Sequence, residues 1–298
     1  MKLSILTATY NRGRFLTRLY ESIVNNLIDD MDIEWLIMDD GSNDDTQEIV
    51  SGFHSSKHFE IKFYKQKNQG KMQAINNLME YVTGELCVEC DSDDFFNKGA
   101  FKTIYDVFCE NFDKEDIYAF TFLKYNQDRK NIGGNLKDNE VTTMFDLYFR
   151  NNENGEKALV FITKIRKQYK YILEKNEKFV TEASMFYRMD EKYNILCINF
   201  PIMICQYLED GYTNNSLKQL IDNPNGYFSY FEFLITKDLK GVKFKKRIYI
   251  IKHYILFSYL ARKKINLKNV KNIYDKLLIT ILFVPGRIMS RLKFGRGI

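Results

Sequence analysis

The chain has 298 residues, 45% of them hydrophobic and 15% aromatic, with a formal net charge of +5. That length and apolar content exclude an intrinsically disordered polymer, and they suffice for one large domain or for one domain with an appendage. The charge is uneven: from residue 236 onward seventeen Lys and Arg face two acids, Asp238 and Asp275, a surplus of +15 that leaves the preceding residues at −10.

The elements begin at the N-terminus with LSILTATY (residues 3–10), a buried strand, after which Phe15, Leu16, Leu19, Ile23 and Leu27 recur at helical spacing. MKLSILTATYNRGRF is apolar over too short a span for a signal peptide and lacks a small-residue cleavage site. IEWLIMDDG (33–41) is a second strand closing on a turn, with Asp44, Asp45 and Thr46 opening a short helix where such residues cap free N–H groups. FEIKFYKQ (59–66) is a third strand, GKMQAINNLMEYV (70–82) a helix with Met72, Ile75, Leu78, Met79 and Val82 on one side, and ELCVEC a fourth strand. Alternation of β and α at these lengths predicts an α/β fold: a doubly wound, mostly parallel sheet with helices on both faces.

Beyond residue 101 the pattern weakens. A helix (101–112) and a strand (118–125) are followed by a polar loop holding Gly133 and Gly134, and 157–173 reads as helical. YLEDGYTNNS is turn-rich, and Asn, Pro and Gly cluster over 215–226, which sets the expected boundary between a domain of residues 1–215 and a basic helical region of residues 216–298. That region contains FKKRIYIIKHYILFSYLARKK and KLLITILFVPGRIMSRLKFGR, in which cations alternate with aromatic and aliphatic residues. Two readings stand for it: an interfacial segment at a membrane surface, or packed helices whose Lys and Arg form a solvated face. No nucleic-acid partner is expected, because no recognised fold signature accompanies the basic patch. The longest uncharged apolar run, LLITILFV, has eight residues, against the roughly 20 needed to span a bilayer. The five cysteines, Cys87, Cys90, Cys109, Cys197 and Cys205, are odd in number and irregularly spaced, so reduced thiols and a cytoplasmic location are expected.

In open parallel sheets ligands bind outside the carboxyl ends of the strands. Four polar segments share that position: Thr7 to Arg12, Asp39 to Ser42, Asn68 to Lys71 and Asp91 to Asp94. The last is the most demanding, because three carboxylates in four residues, delivered by a buried strand, repel one another in a poorly screened place. A divalent ion, Mg2+ or Mn2+, arriving with a diphosphate would supply the missing positive charge through oxygen ligands. A plain turn with Asp93 or Asp94 capping the next helix is the alternative. Lys71 follows Gly70 at a helix N-terminus, where an ammonium and free N–H groups can meet phosphate together, or it is an ordinary solvated lysine.

The segments ILTATYNR (5–12), MDDGSNDDT (38–46), KNQGKMQAIN (67–76) and DSDD (91–94), in this order and spacing, resemble the family 2 glycosyltransferases of the GT-A fold, strongly over the first hundred residues and more loosely to about residue 215. The resemblance implies that Tyr10 stacks on a nucleobase and Asp40 bonds it, typically uracil. Asp91 would bond the ribose, Asp93 would ligate Mn2+ or Mg2+ bridging the diphosphate with Asp91 beside it, and Asp94 would lie close to the donor sugar. Lys71 is similar to the family's basic residue near the nucleotide, and Thr7, Arg12, Asp39 and Ser92 complete the expected binding set. For the base it points to Glu182, in EKFVTEASMFYRM, at the start of a helix after the acceptor loop; a first-turn glutamate favoured by the helix dipole is the structural alternative.

Several relatives add a histidine metal ligand from a later loop. None of His54, His58 and His253 suits that role, and Glu209, Asp210 or water would have to take it. The resulting expectation is an inverting, metal-dependent transferase that moves a sugar from a nucleotide diphosphate, UDP above all, to a glycan or lipid-linked glycan hydroxyl. It would work in bacterial cell-surface polysaccharide synthesis, with peripheral contact at the inner face of the plasma membrane. A nucleotidyltransferase is the rival enzyme, disfavoured because TATYNRGR holds only Gly13 where a Gly-rich loop is needed; a catalytically silent sugar-nucleotide or membrane-binding module is the rival outside enzymes.

Overall fold

Strands β1 (Lys2–Thr9) and β2 (Asp32–Asp39) are apolar on both faces, and Leu3, Ile5, Leu6, Trp35, Leu36 and Ile37 are completely buried. Such strands need a neighbour on each edge and cover on each side, which a parallel sheet wrapped by helices supplies. The structure, a computed structural model, describes residues 1–206 and 216–294. β1 runs parallel to β2 and to β4 (Leu86–Glu89), and β2 parallel to β3 (Phe59–Lys65). The connections are α1 (Gly13–Val24), which buries Leu16, Leu19 and Ile23, α2 (Thr46–Ser51) and α3 (Lys71–Leu78).

After β4 come the short β5 (Phe95–Phe96), α4 (Ala100–Asn111), β6 (Ile117–Asn126) and β7 (Val141–Thr142). β8 (Lys157–Ile162), α5 (Thr163–Arg166), α6 (Ala183–Met189) and β9 (Asn194–Cys205) follow. The main sheet path is β3-β2-β1-β4-β8-β6-β9-β5, with β7 paired to β9. β8 is antiparallel to both its neighbours, while β6 and β9 are parallel. This corrects the helical reading of 157–173: KALVFI is a strand and only Thr163–Arg166 forms a helical turn. A strand enclosed between two others is apolar on both faces and shows no alternation, so its period does not separate it from a buried helix. A buried ion pair ties its end to β4, with the Arg166 guanidinium donating to Glu89 at 2.9 Å and the Tyr171 hydroxyl to the other Glu89 oxygen at 2.8 Å.

Two compact units make up the chain. The first comprises Met1–Tyr148, Asn152–Tyr171 and Met185–Leu208; the second comprises Phe149–Asn151, Ile172–Ser184 and Glu209–Ile298, so it includes two segments from before residue 215. Within the second, α7 (Ser216–Asp222), α8 (Pro224–Thr236), α9 (Phe244–Leu260) and α10 (Ile273–Phe294) succeed one another. Pro224 opens α8, where a missing N–H costs nothing. The Glu177 carboxylate accepts from the Asn225 and Gly226 N–H groups there, both at 2.7 Å. α9 packs on α8 through Phe231, Tyr227, His253 and Phe257, and on α10 through the Arg247–Asp275 pair at 2.6 Å. Among the described residues no helix is long and apolar enough to cross a membrane.

Candidate active site

All four polar segments lie at the carboxyl ends of β1 to β4 in the first unit. Asn11 turns the chain out of β1 at a φ of 52°, a left-handed conformation that asparagine tolerates, and stitches two loops together. Its N–H donates to the Ser42 hydroxyl and its side-chain oxygen accepts from the Asn43 N–H. Tyr10 is left 45% exposed at the strand end, so its ring is open to a planar ligand. Thr7 is buried, with its hydroxyl accepting from the Trp35 indole at 3.0 Å, and therefore braces β1 against β2. Arg12 immediately precedes α1 beside the same loop, its carbonyl accepting from the Phe15 N–H.

Asp39 and Asp40 are both buried but differently employed. The Asp40 carboxylate accepts from the Gln66 side chain and from the Gln69 and Gly70 N–H groups, each at 2.8 Å, and so shapes the loop before α3. One Asp39 oxygen accepts from the Ser42 N–H at 2.8 Å. The other has no hydrogen-bond donor and lies 3.3 Å from the Lys65 ammonium. Gly41 (φ 85°) and Gly70 (φ 92°) adopt positive φ at these turns, a backbone conformation that a side chain would strain.

Lys71, the first residue of α3, reaches across to Asp91 at 2.6 Å. The turn is closed by the Asp94 N–H donating to the Asp91 carbonyl and held from outside by Arg18, whose guanidinium donates to the Asp93 carbonyl at 2.6 Å and lies over the Phe95 ring. Ser92 is buried within it. The three carboxyls are set apart by their surroundings. Burial raises Asp91, but Lys71 and Lys124 outweigh it and its pKa is lowered. Asp93 is raised by burial and by the Asp91 charge. Asp94 is raised to about 6 by burial against the pull of Lys124, and accepts from the Cys205 thiol at 3.2 Å and the Gln206 N–H at 3.3 Å. The Lys124 ammonium is 3.5 Å from Asp94 and 3.8 Å from Glu156.

Two hard carboxylates on one turn, with Asp93 making no ion pair among the described residues, fit a divalent cation. Among the described residues no group of three or more His, Cys, Asp or Glu is gathered to hold an ion by itself, so phosphate oxygens and water would complete its shell. Glu209 and Asp210 lie outside the described residues. Glu182 belongs to the second unit, half-buried just before α6, where the Ser184 N–H donates to the Thr181 carbonyl.

Arg18, Lys124 and Cys205 escaped the sequence reading. Arg18 lies mid-helix in α1, and the other two reach Asp94 from strands 30 and 111 residues away in sequence, with no local pattern to announce them. Burial of an unexplained lysine in an apolar strand, as in TFLKY, is the one signal that pointed to Lys124.

An α/β sheet of this order with its acidic turn at the end of β4 defines a GT-A glycosyltransferase scaffold. The chain belongs to the family 2 glycosyltransferases: a profile of the family described as Glycosyl transferase family 2 matches residues 4–193. It is 33% identical over 136 residues to chondroitin synthase of Escherichia coli, covering 46% of this chain and 18% of that protein. The structure of Staphylococcus aureus TarS 1-349 with UDP-GlcNAc superposes with a TM-score of 0.63 at 15% identity over 100% of this chain and 92% of that one. The mannosyltransferase PcManGT from Pyrobaculum calidifontis, solved with GDP-Man and Mn2+, superposes with a TM-score of 0.54 at 12% identity, over 98% and 83% of the two chains. The chain spans half or less of the length of the first curated relatives it matches.

Proposed function

We propose that this protein is an inverting glycosyltransferase that moves one sugar from a nucleotide diphosphate, a UDP-sugar, to a hydroxyl of a glycan or lipid-linked glycan in bacterial cell-surface polysaccharide synthesis. The observation that carries the reading is the Asp91–Asp94 turn at the end of β4 with Lys71 against it at the N-terminus of α3. A lone carboxylate trio is a poor phosphate site; a trio that takes a divalent ion beside a lysine at a helix N-terminus is a good one. TarS bound to UDP-GlcNAc on the same fold supports UDP, and its full description as a poly(ribitol-phosphate) beta-N-acetylglucosaminyltransferase supports a surface-polymer acceptor.

In this reading Tyr10 stacks on the base. Asp40, at the loop before α3, bonds the base, with Asp39 beside it held by the Ser42 N–H and the Lys65 ammonium. Asp91 bonds the ribose and, with Asp93, would hold Mn2+ or Mg2+. Asp94, backed by Lys124 and Cys205, faces the donor sugar. Bound metal supplies charge stabilisation to the departing diphosphate. The acceptor oxygen attacks the anomeric carbon from the face opposite the diphosphate as the carbon–oxygen bond to phosphate breaks. That bond's electron pair leaves on UDP, and the hydroxyl proton passes to the Glu182 carboxylate. Residues 1–215 form the catalytic domain, and 216–298 a basic helical region in peripheral contact with a membrane.

A thermal-shift panel of UDP, GDP, dTDP and CDP, each with and without Mn2+, tests the site. Ligand at about 100 times its Kd stabilises a protein by about 2.7 kcal/mol. UDP with Mn2+ should raise the Tm, Asp93→Asn should remove the rise, and Glu182→Gln should keep it while sugar transfer falls at least a hundredfold. Absence of any nucleotide response overturns the donor site; undiminished transfer by Glu182→Gln overturns the base.

A further inference from the structure

α10 packs on the rest of its unit through one side and leaves the other bare. Asp275, Ile279 and Ser290 are buried, and a side chain at Gly286 would meet the Ile255 side chain at 2.9 Å, so this side faces α9. Leu277, Ile281, Val284 and Ile288, spaced four, three and four residues apart, share the opposite stripe at 100° per residue and are 58%, 60%, 62% and 55% exposed. Ile273 and Leu292 extend that stripe towards both ends. A bare apolar row of this length is unusual on a soluble surface and marks a contact.

Its surroundings identify the contact. Beside the stripe, where the chain turns from α9 into α10, lies a cavity of about 790 Å³ whose walls include Tyr259, Phe283, Val284, Arg262, Lys264 and Arg287. The Arg287 guanidinium stacks over the Tyr259 and Phe283 rings, at 5.0 and 5.7 Å from their centres. Of the charges on this hairpin, Asp275 is bound to Arg247 and Lys263 approaches Glu174, whereas Arg262, Lys264 and Arg287 make no ion pair among the described residues. Uncompensated cations around an amphipathic hollow, next to an apolar ridge, are complementary to a surface with anionic phosphates above hydrocarbon. A second copy of this chain would bring the same cations against themselves.

We infer that the α9–α10 hairpin docks on an anionic phospholipid bilayer. α10 lies flat, its Leu277–Ile281–Val284–Ile288 stripe sinks into the headgroup and acyl boundary, and Arg262, Lys264 and Arg287 bind lipid phosphates in the adjoining cavity. This rests on the reading that residues 216–298 contact a membrane, deepens it to a surface and a lipid class, and is independent of the sugar-transfer reading.

The test is co-sedimentation of the full chain with vesicles of phosphatidylcholine alone and of phosphatidylcholine mixed with phosphatidylglycerol. Wild type should bind the mixed vesicles at least tenfold better, and binding should weaken with salt. Leu277→Glu/Ile281→Glu/Val284→Glu should lose binding to both, and Arg262→Gln/Lys264→Gln/Arg287→Gln should bind mixed vesicles roughly a hundredfold more weakly, as expected for three cations removed from an anionic surface. All six positions avoid the buried core, and unchanged melting temperature and UDP response would confirm intact folding. If wild type binds neither vesicle, the membrane reading itself falls. If wild type binds mixed vesicles and the α10 variant binds as well, another surface makes the contact and this inference falls alone. If the chain self-associates without lipid and the α10 substitutions abolish that, a second copy covers the stripe and the inference is overturned.

Discussion

Asp39 and Asp40 are adjacent, both acidic, both buried, and chemically distinct because their donors differ. Replacing Asp40 by Asn removes a charged acceptor from three donors, at a cost of about 1–3 kcal/mol, and should appear as a lower Tm without ligand. Asp39→Asn keeps a carbonyl for Ser42 and gives up only the ion pair to the half-exposed Lys65, so by differential scanning calorimetry it should lower the Tm less than Asp40→Asn does. Sequence could not separate the two, since MDDG offers identical side chains and only the loop's return path decides which is engaged. Glu34 supplies a pH test. Burial pushes its carboxyl up, but hydrogen bonds from the Ser4 hydroxyl, from Thr83 and from Lys2 outweigh it and hold the pKa down to about 2 against an ordinary 4.5. A depressed pKa stabilises the fold above pH 4.5 and loses that contribution as pH falls towards 2; the difference corresponds to about 3 kcal/mol. Denaturation of Glu34→Gln should therefore show a deficit of that order at pH 6, closing progressively between pH 4.5 and 2.

At the level of elements, β1 to β4 and their helices were readable because apolar strands and helices of 3.6-residue period alternate at short spacing. The acidic turn was readable for the same reason: a predicted strand end fixes where its loop must lie. β8 was not, because its burial on both faces erases the period that would name it. The supporting contacts of Lys124 and Cys205 were hidden because strand order, not proximity in sequence, brings them to Asp94. The meeting of α1 and α2 permits a sharper test. Gly13 lies so close to α2 that an added Cβ would stand 2.7 Å from the Thr46 Cα, and its N–H donates to Asp44. Backbone cannot retreat as a side chain can, so Gly13→Ala should cost about 1–3 kcal/mol in urea denaturation and weaken UDP binding by shifting the loop that carries Tyr10.

Across the whole chain all five cysteines are free, with Cys87, Cys90, Cys197 and Cys205 buried and Cys109 exposed. A thiol reagent should label one cysteine in the native protein, identified by peptide mass as Cys109, and five after denaturation; rapid native labelling of Cys205 would show that the wall behind Asp94 opens.

The place of β8 in the sheet has a consequence during synthesis. Strands β1 to β4 all leave the ribosome within the first ninety residues and can zip together at once, yet β4 then presents a bare edge, because its outer neighbour comes from residues 157–162. Until that hexapeptide emerges and slides between β4 and β6, the growing chain carries an unsatisfied hydrogen-bonding rim beside Leu86 and Val88. The strand that joins β4 to β6 is thus also the one whose delay leaves the nascent protein most open to capture by a chaperone or by another unfinished copy.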